Sequence, residues 1–161
     1  MNNRNSSVKQ QTPVVVSATE DMLERICAIE QICQDDPWTL GNFSDALKTG
    51  YQIQAVILPG NTDIIGYYVA MKGVDEVHLL NINITPAYQK QGYAWLLLEY
   101  LKLWTLSEQL QWIWLEVRAH NERALHLYKQ FGFEQVGQRK DYYATKNGGR
   151  EDAILMSLKL C

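Results

Sequence analysis

Residues 81–95 combine the end of a strand, a short loop with one glycine and the start of a leucine-rich helix. The first turn of a helix has unpaired N–H groups and the positive end of the helix dipole, so such a junction can bind an anion. Gly92 lets the backbone approach the anion closely, and Ala94 keeps the first turn small. Lys90 and Gln91 can add cationic or polar contacts at the rim. The segment permits a pyrophosphate site, although a plain strand–loop–helix junction fits the same residues.

Other phosphate-binding motifs do not explain this segment. The chain has no G-x-G-x-x-G pattern, which a dinucleotide-binding loop requires, and no Gly-Lys-Ser or Gly-Lys-Thr, which a P-loop requires. Its histidines and cysteines show neither H-E-x-x-H nor C-x-x-C spacing, so the sequence predicts no metal site and no disulfide framework. An anion site at a helix N-terminus is therefore the specific expectation.

Two side chains are suited to proton transfer. Glu116 lies on a predicted strand, residues 112–117, and shares a face with Trp112 and Trp114 because strand side chains alternate. A carboxylate there can accept a proton directly or through water, although a solvated charge at a strand end fits equally well. Tyr128 lies in a predicted helix, and its phenol, with a reference pKa near ~10, can protonate a departing thiolate of pKa about 8.5. A core tyrosine is the alternative reading of that position.

The loop also carries a family signature. Gln89-Lys-Gln-Gly-Tyr-Ala94 matches the Q/R-x-x-G-x-G/A pattern of the GCN5-related N-acetyltransferases (GNAT superfamily), and the chain resembles these enzymes from about Glu20 to Leu158. Within the superfamily it is most similar to the bacterial ribosomal-protein alanine N-acetyltransferases. The motifs that carry this closer similarity are Asp36-Pro-Trp-Thr39, Leu80-Asn-Ile82, Trp114-Leu-Glu-Val-Arg-Ala-His-Asn121, Ala124-Leu-His-Leu-Tyr128, Gly132-Phe133 and Tyr142-Tyr143 followed by Gly149-Arg-Glu-Asp-Ala153.

The resemblance implies acetyl-CoA as co-substrate and assigns a role to each site residue. The backbone of Ile82, Asn83 and Ile84 would hydrogen-bond the acetyl and pantetheine portion, which would lie beside it like an added strand. The pyrophosphate would be cradled by Lys90, Gln91, Gly92, Tyr93, Ala94 and Trp95. The pantetheine arm would also be contacted by Asn121, while Glu116 would act as general base and Tyr128 as general acid.

Two positions depart from the family pattern. Ala94 stands where close relatives often have glycine, and the signature admits alanine. Trp95 stands where a basic residue is common, which removes a possible phosphate contact and could weaken the affinity for acetyl-CoA. The sequence gives no reason to place Cys27, Cys33 or Cys161 near the predicted site. The transfer is therefore expected to be direct, without a covalent intermediate.

The resemblance also implies an acceptor, the N-terminal alanine of protein eighteen of the small ribosomal subunit. An α-amine of pKa about 7.7–8.0 costs roughly 3.4 kcal/mol less to deprotonate at neutral pH than a lysine of pKa about 10.4. A lysine side chain or a small-molecule amine stays open as the acceptor, and so does a non-catalytic acetyl-CoA-binding module. Trp38, Tyr142 and Tyr143 could line the acceptor side, and Glu151 or Asp152 could pair with a basic acceptor, although a structural role fits each of them.

Bulk properties limit the remaining partners. The formal net charge is −3, which argues against direct binding of nucleic acid through its phosphates. No apolar run reaches the length of a membrane span, and the polar start lacks a signal-peptide core, so a cytoplasmic protein is expected.

These residues must be positioned by one mixed α/β domain, residues 13–161, preceded by a disordered segment, residues 1–12. Hydrophobic periodicity predicts the order β-α-α-β-β-β-α-β-α-β-β, ending in short strands at 134–138 and 153–158 joined by a polar loop. The resemblance implies a central, mostly antiparallel sheet of about seven strands, flanked by about four helices.

Overall fold

The β-branched and aromatic runs of the sequence form a seven-stranded sheet in the order β1-β2-β3-β4-β5-β7-β6 in the computed structural model, which describes residues 12–60 and 63–160. The strands are β1 Val14–Ser17, β2 Gln52–Ile57, β3 Ile64–Lys72, β4 Glu76–Ile84, β5 Trp112–Arg118, β6 Glu134–Ala144 and β7 Arg150–Lys159. The helices are α1 Leu23–Cys33, α2 Leu40–Thr49, α3 Tyr93–Ser107 and α4 Glu122–Phe131, with 3₁₀ turns at Glu20–Met22 and Pro86–Tyr88.

The predicted mixed α/β fold, with seven strands and four helices, is confirmed in element order. The last two strands are longer than predicted. Strand β6 continues through a bulge between Arg139 and Tyr143, where Asp141 adopts a φ of 53°, and the residues after the bulge pair with the start of β7. A bulge interrupts the alternation of side chains, so the sequence pattern beyond residue 138 does not predict a strand. The predicted disordered segment, apart from residue 12, lies outside the described residues, as do Asn61, Thr62 and Cys161.

The one parallel pair in the described sheet creates the feature on which the site depends. Strands β4 and β5 are paired only from Glu76↔Trp112 to Leu79↔Leu115, whereas all other neighbours are antiparallel. Beyond Leu79 the two strands diverge, and the edge of β4 as far as Ile84 has no strand partner on that side among the described residues.

Two hydrophobic clusters hold the helices to opposite faces of the sheet. One cluster packs α3 and α4 against the sheet through residues such as Leu97, Leu101 and Ile113. The other packs α1 and α2 against the sheet through residues such as Ile26 and Phe43. These two anchored layers fix the ends of α1, α3 and α4 around the gap between β4 and β5. Within 12–60 and 63–160, no helix is long and apolar enough to cross a membrane.

Candidate active site

A cleft of about 1450 Å³ opens where β4 and β5 diverge. Its walls come from the end of α1, β4, the start of α3, β5, α4 and β6. Eleven of the twelve predicted site residues line it: Ile82, Asn83, Ile84, Lys90, Gly92, Tyr93, Ala94, Trp95, Glu116, Asn121 and Tyr128. The exception is Gln91, whose side-chain amide donates instead to the carbonyl of Ala87 at 3.2 Å.

The free edge of β4 presents backbone groups to this cleft. The Thr85 N–H donates to the Ile65 carbonyl at 2.8 Å, which fixes the alternation of the β3–β4 ladder. Since hydrogen-bonded and non-hydrogen-bonded pairs alternate in an antiparallel ladder, the N–H and C=O groups of Ile82 and Ile84 point away from β3 and toward the gap. An extended amide-containing molecule can pair with that edge as a strand would.

The loop before α3 forms an open concavity at the helix N-terminus. Gly92, the N-cap of α3, has a φ of 88°, and Lys90 has a φ of 61°. A Cβ at Gly92 would meet no atom within 4 Å, so its backbone conformation, rather than crowding, favours glycine there. The first N–H groups of α3 lack partners within the helix and lie beside the cleft. This arrangement fits the phosphates of a nucleotide.

Two hydrogen bonds hold this loop in place. The Gln89 side-chain amide donates to the Ile84 carbonyl at 2.8 Å, which ties the loop to the end of β4. The Arg123 guanidinium of α4 donates to Gln89 Oε1 at 3.0 Å. Arg123 also lines the cleft, so it adds a cation that sequence reasoning did not single out.

Trp95 takes a packing role at the rim. Its indole N–H donates to Glu99 at 3.1 Å, and its ring lies 4.9 Å from the ring of Phe131. Trp95, which stands where a basic residue is common in the family, therefore joins α3 to α4 beside the loop.

Glu116 faces the cleft because β5 alternates strictly. Ile113, Leu115 and Val117 are buried, whereas Trp114 and Glu116 lie on the opposite, partly buried face, and both of these side chains line the cleft. The Glu116 carboxylate lies 3.5 Å from the Arg139 guanidinium of β6. A partly exposed carboxylate beside the gap can accept a proton from a bound amine.

Tyr128 reaches the cleft from α4 and is almost fully buried. Its ring lies 5.7 Å from that of Phe133. Burial, followed by the nearby Tyr143, raises the pKa of Tyr128 far above its usual value. Among the described residues its hydroxyl has no hydrogen-bond partner, so a protonated phenol is available to a bound molecule at neutral pH. The same raised pKa makes it a weaker acid than a free tyrosine.

A free β-strand edge, a helix N-terminus, a carboxylate and a phenol thus meet in one cleft. The model of the acetyltransferase (GNAT) family matches residues 23–133 of this sequence. The chain belongs to the GNAT acetyltransferase family. It is 38% identical over 137 residues to the [ribosomal protein bS18]-alanine N-acetyltransferase of Haemophilus influenzae, covering 85% of this chain and 92% of that protein.

Two solved structures have the same architecture. The ribosomal-protein-S18-alanine N-acetyltransferase of Escherichia coli superposes with a TM-score of 0.85 at 32% identity, covering 92% of this chain and 94% of that one. Arabidopsis thaliana NAA60, solved in complex with acetyl-CoA, superposes with a TM-score of 0.82 at 19% identity, covering 92% of this chain and 99% of that one, which shows the shared fold.

In this GNAT chain, Asn121 serves first as a helix cap. Its side-chain oxygen accepts from the Ala124 N–H at 3.2 Å, at the start of α4. The side-chain N–H₂ has no partner among the described residues and remains available on the cleft wall.

The two tyrosines at the end of β6 form part of the cleft wall. The Arg118 guanidinium lies over the ring of Tyr143 at 4.5 Å, and the rings of Tyr142 and Tyr143 are 5.0 Å apart. Burial and then the neighbouring Glu116 raise the pKa of Tyr143 to about 12. Tyr143 is therefore neutral at physiological pH, and the two rings line the cleft as an aromatic surface.

The two acidic residues that follow the Tyr-Tyr pair are engaged within the fold. The Glu151 carboxylate accepts from the His120 N–H at 2.9 Å and from Arg118 at 3.2 Å. Burial acts to raise the pKa of Glu151, but these hydrogen bonds and charges together lower it. Asp152 accepts from Gln138 and from the backbone of Asp141.

Cys33 corrects the expectation that no cysteine approaches the site. The end of α1 packs against the end of β4, so the Cys33 thiol lines the cleft and lies 3.5 Å from the Ile84 carbonyl. This contact joins residues 51 positions apart, which periodicity within α1 does not reveal. Burial, and then the charge of Glu30, raise the pKa of the Cys33 thiol. A thiol with a raised pKa is a poor nucleophile at neutral pH.

The loop between α1 and α2 closes the other side of the cleft. Trp38 lines the cleft while its ring packs 5.2 Å from Phe43, so it combines the two roles considered for it. Asp35 Oδ1 forms an ion pair with Lys146 Nζ at 3.2 Å, which joins this loop to the loop between β6 and β7. Residues 34–39 are called the acceptor loop below.

Proposed function

We propose that this protein transfers the acetyl group of acetyl-CoA to the α-amine of the N-terminal alanine of ribosomal protein bS18. The observation that carries the proposal is the placement of Glu116 and Tyr128 on the walls of a cleft beside the free edge of β4. The similarity to a bS18-alanine N-acetyltransferase over 85% of the chain supports the choice of acceptor. The reaction is assigned to the cytoplasm.

Acetyl-CoA suits the residues that are present. Its pantetheine amides match the outward-facing N–H and C=O of Ile82 and the N–H of Ile84, whose carbonyl already accepts from Gln89. Its phosphates match the loop at Gly92. The co-substrate supplies a thioester carbonyl that an amine can attack. The proposed binding residues remain those predicted from the sequence, and two of them are less supported than the others. The Gln91 side chain bonds to Ala87, and the backbone of Asn83, between Ile82 and Ile84, points toward β3.

The chemistry needs one proton acceptor and one proton donor. The neutral α-amine forms a new C–N bond to the acetyl carbon, and the C–S bond breaks as coenzyme A leaves. Glu116 accepts the proton that the amine loses, directly or through water, and Tyr128 donates to the departing sulfur. An α-amine with a pKa of about 7.7–8.0 needs only a modest base at neutral pH, which a carboxylate provides.

The experiment measures release of the coenzyme A thiol with three acceptors. A peptide carrying the bS18 N-terminal sequence, with a free N-terminal alanine, is expected to be acetylated at its α-amine. The same peptide with a blocked N-terminus and an internal lysine, and the polyamine spermidine, serve as controls. A preference for the lysine peptide or for spermidine would replace the proposed acceptor. Binding of acetyl-CoA with no thiol release for any amine would identify a non-catalytic binding module.

A further inference from the structure

Helix α1 carries a carboxylate that the proposed chemistry does not use. The side chain of Glu30 is buried, with 2% exposure, and it lies in the wall of the cleft. A buried carboxylate needs hydrogen-bond partners because the loss of hydration is costly. Burial raises the pKa of Glu30, and the hydrogen bonds described next oppose that rise.

Four donors from three parts of the chain surround this carboxylate. Oε1 accepts from the backbone N–H of Trp38 at 3.2 Å and from Asn81 Nδ2 at 3.1 Å. Oε2 accepts from Asn83 Nδ2 at 3.0 Å and from the hydroxyl of Tyr67. Each oxygen thus accepts two hydrogen bonds, which uses the full acceptor capacity of a carboxylate. Glu30 therefore has no capacity left to act as a base toward a substrate.

These contacts connect the acceptor loop to the edge strand of the cleft. At one end of the loop, Glu30 holds Trp38 directly. At the other end, Gln34 Nε2 donates to Asn83 Oδ1 at 2.7 Å, and the amide of Asn83 is oriented by Glu30. The neighbouring Gln31 adds a bond from its side chain to the Trp38 carbonyl at 3.2 Å. The loop is thus fixed at both ends through one buried side chain.

We propose that Glu30 is a positioning residue for the acceptor: it holds residues 34–39 at a fixed distance from β4 through Trp38 and Asn83. The width of the acceptor side of the cleft then depends on a carboxylate outside the reacting groups. The inference rests on the proposed function for the identity of the acceptor, but the loop contacts can be tested without any acceptor.

The decisive variant is Glu30→Gln, because a glutamine keeps the shape but can satisfy only two of the four donors. Weakening two loop contacts is expected to raise the KM for the bS18 peptide by roughly tenfold, with less than about a twofold change in the KM for acetyl-CoA. Amide hydrogen exchange at Trp38 is expected to accelerate by about tenfold or more for the same reason. A merely structural role would lower the active fraction, and hence kcat, without changing either KM.

Tyr67→Phe is the matched control. It removes one buried donor to the same carboxylate, and with it the acceptor of a 2.9 Å bond from Asn83 Nδ2, but leaves the Glu30 contacts to Trp38, Asn81 and Asn83. It should lower the thermal midpoint much as Glu30→Gln does, while the peptide KM and the exchange rate at Trp38 stay within about twofold of wild type. An equal rise in peptide KM in both variants would mean general loosening of the core and would overturn the proposal.

Gln34→Ala tests the second connection without disturbing the buried carboxylate. Loss of its bond to Asn83 is expected to raise the peptide KM about threefold, since one neutral hydrogen bond is lost. An unchanged peptide KM in both Gln34→Ala and Glu30→Gln would refute the proposal. If the wild-type protein acetylates no bS18 peptide, the proposed function fails, and the exchange rate at Trp38 alone decides whether Glu30 holds the loop.

Discussion

The guanidinium of Arg139 lies 3.5 Å from the carboxylate of Glu116, although β7 separates the strands that carry them. Ala153 of β7 pairs with Arg139 on one side and with Arg118 on the other, and its small side chain leaves room for the contact. The Arg139 side chain is about half exposed, so the ion pair is weak and an incoming amine can compete for the carboxylate. The pair keeps Glu116 oriented into the cleft without committing it to a structural role.

Glu116→Gln removes the proposed proton acceptor and preserves the shape of the side chain. We expect kcat to fall by about 10²-fold to 10⁴-fold, because positioned general-base catalysis contributes about that factor. The KM for acetyl-CoA should stay within a few-fold of wild type. Steady-state thiol release at saturating acetyl-CoA checks the prediction, and a variant with more than half of the wild-type kcat would exclude Glu116 as the base.

Tyr128→Phe removes the proposed donor to the departing sulfur. We expect a fall in kcat of about 10²-fold with acetyl-CoA binding retained. Because burial raises the pKa of Tyr128, the phenol of the wild-type enzyme keeps its proton as the pH rises past 10. The wild-type kcat should therefore show no loss from phenol ionisation between pH 8 and about 10, the usual tyrosine pKa. A fall of kcat near pH 9 that disappears in Tyr128→Phe would contradict this assignment.

Cys33→Ala tests direct transfer against a covalent acetyl-enzyme. The raised pKa of the Cys33 thiol disfavours the thiolate that attack on a thioester requires, so kcat should stay within about twofold of wild type. Mass spectrometry of the wild-type protein after incubation with acetyl-CoA alone should show no acetylated Cys33. Cys27→Ala, in the same helix but outside the cleft lining, is the control. Loss of transfer in Cys33→Ala but not in Cys27→Ala, together with an acetylated Cys33 in the wild-type protein, would establish the covalent route.

Arg123→Ala tests the cation that α4 contributes beside the loop at Gly92. We expect the KM for acetyl-CoA to rise by about threefold to tenfold, because a charge-assisted contact to phosphate and the bond that holds Gln89 are both lost. Acetyl-pantetheine, which lacks the phosphates of coenzyme A, distinguishes the two losses. A phosphate contact predicts no change in the KM for acetyl-pantetheine, whereas a disordered loop predicts an increase. Lys129→Ala, on the same helix but outside the cleft lining, should leave both values unchanged.

Local patterns predicted the elements that carry the site, whereas the family resemblance implied the roles of the individual residues. The strand–loop–helix junction at Gly92 and the alternation that turns Glu116 outward depend only on neighbouring residues, and both follow the sequence. Eleven of the twelve residues that the resemblance implied line one cleft.

The contacts that the sequence did not reveal join distant segments. Glu30 meets Asn81 and Asn83 across 51 and 53 positions, and in the sequence it is one polar residue of an amphipathic helix. The Asp35–Lys146 pair joins two loops that also lie far apart in the chain. The register of the strands and the packing of the helices on the sheet determine these contacts. The hydrophobic periodicity of a single segment predicts neither of them.

Glu151→Gln tests the charge that ties β7 to the end of β5. Because the pKa of Glu151 is lowered in the folded state, its carboxylate stabilises the fold above the unfolded pKa of about 4.5, and this contribution is lost as the pH falls through the folded pKa. We expect the variant to lose about 1.5–3 kcal/mol of unfolding free energy at pH 7, the usual contribution of a hydrogen bond to a charged group. The difference should be smaller at pH 3 than at pH 7, because the contribution of the carboxylate is lost as the pH falls through its lowered pKa. Urea unfolding at both pH values measures it, with Glu134→Gln as an exposed control that should match wild type at each. A stability difference of the same size at pH 3 would assign the effect to packing rather than to charge.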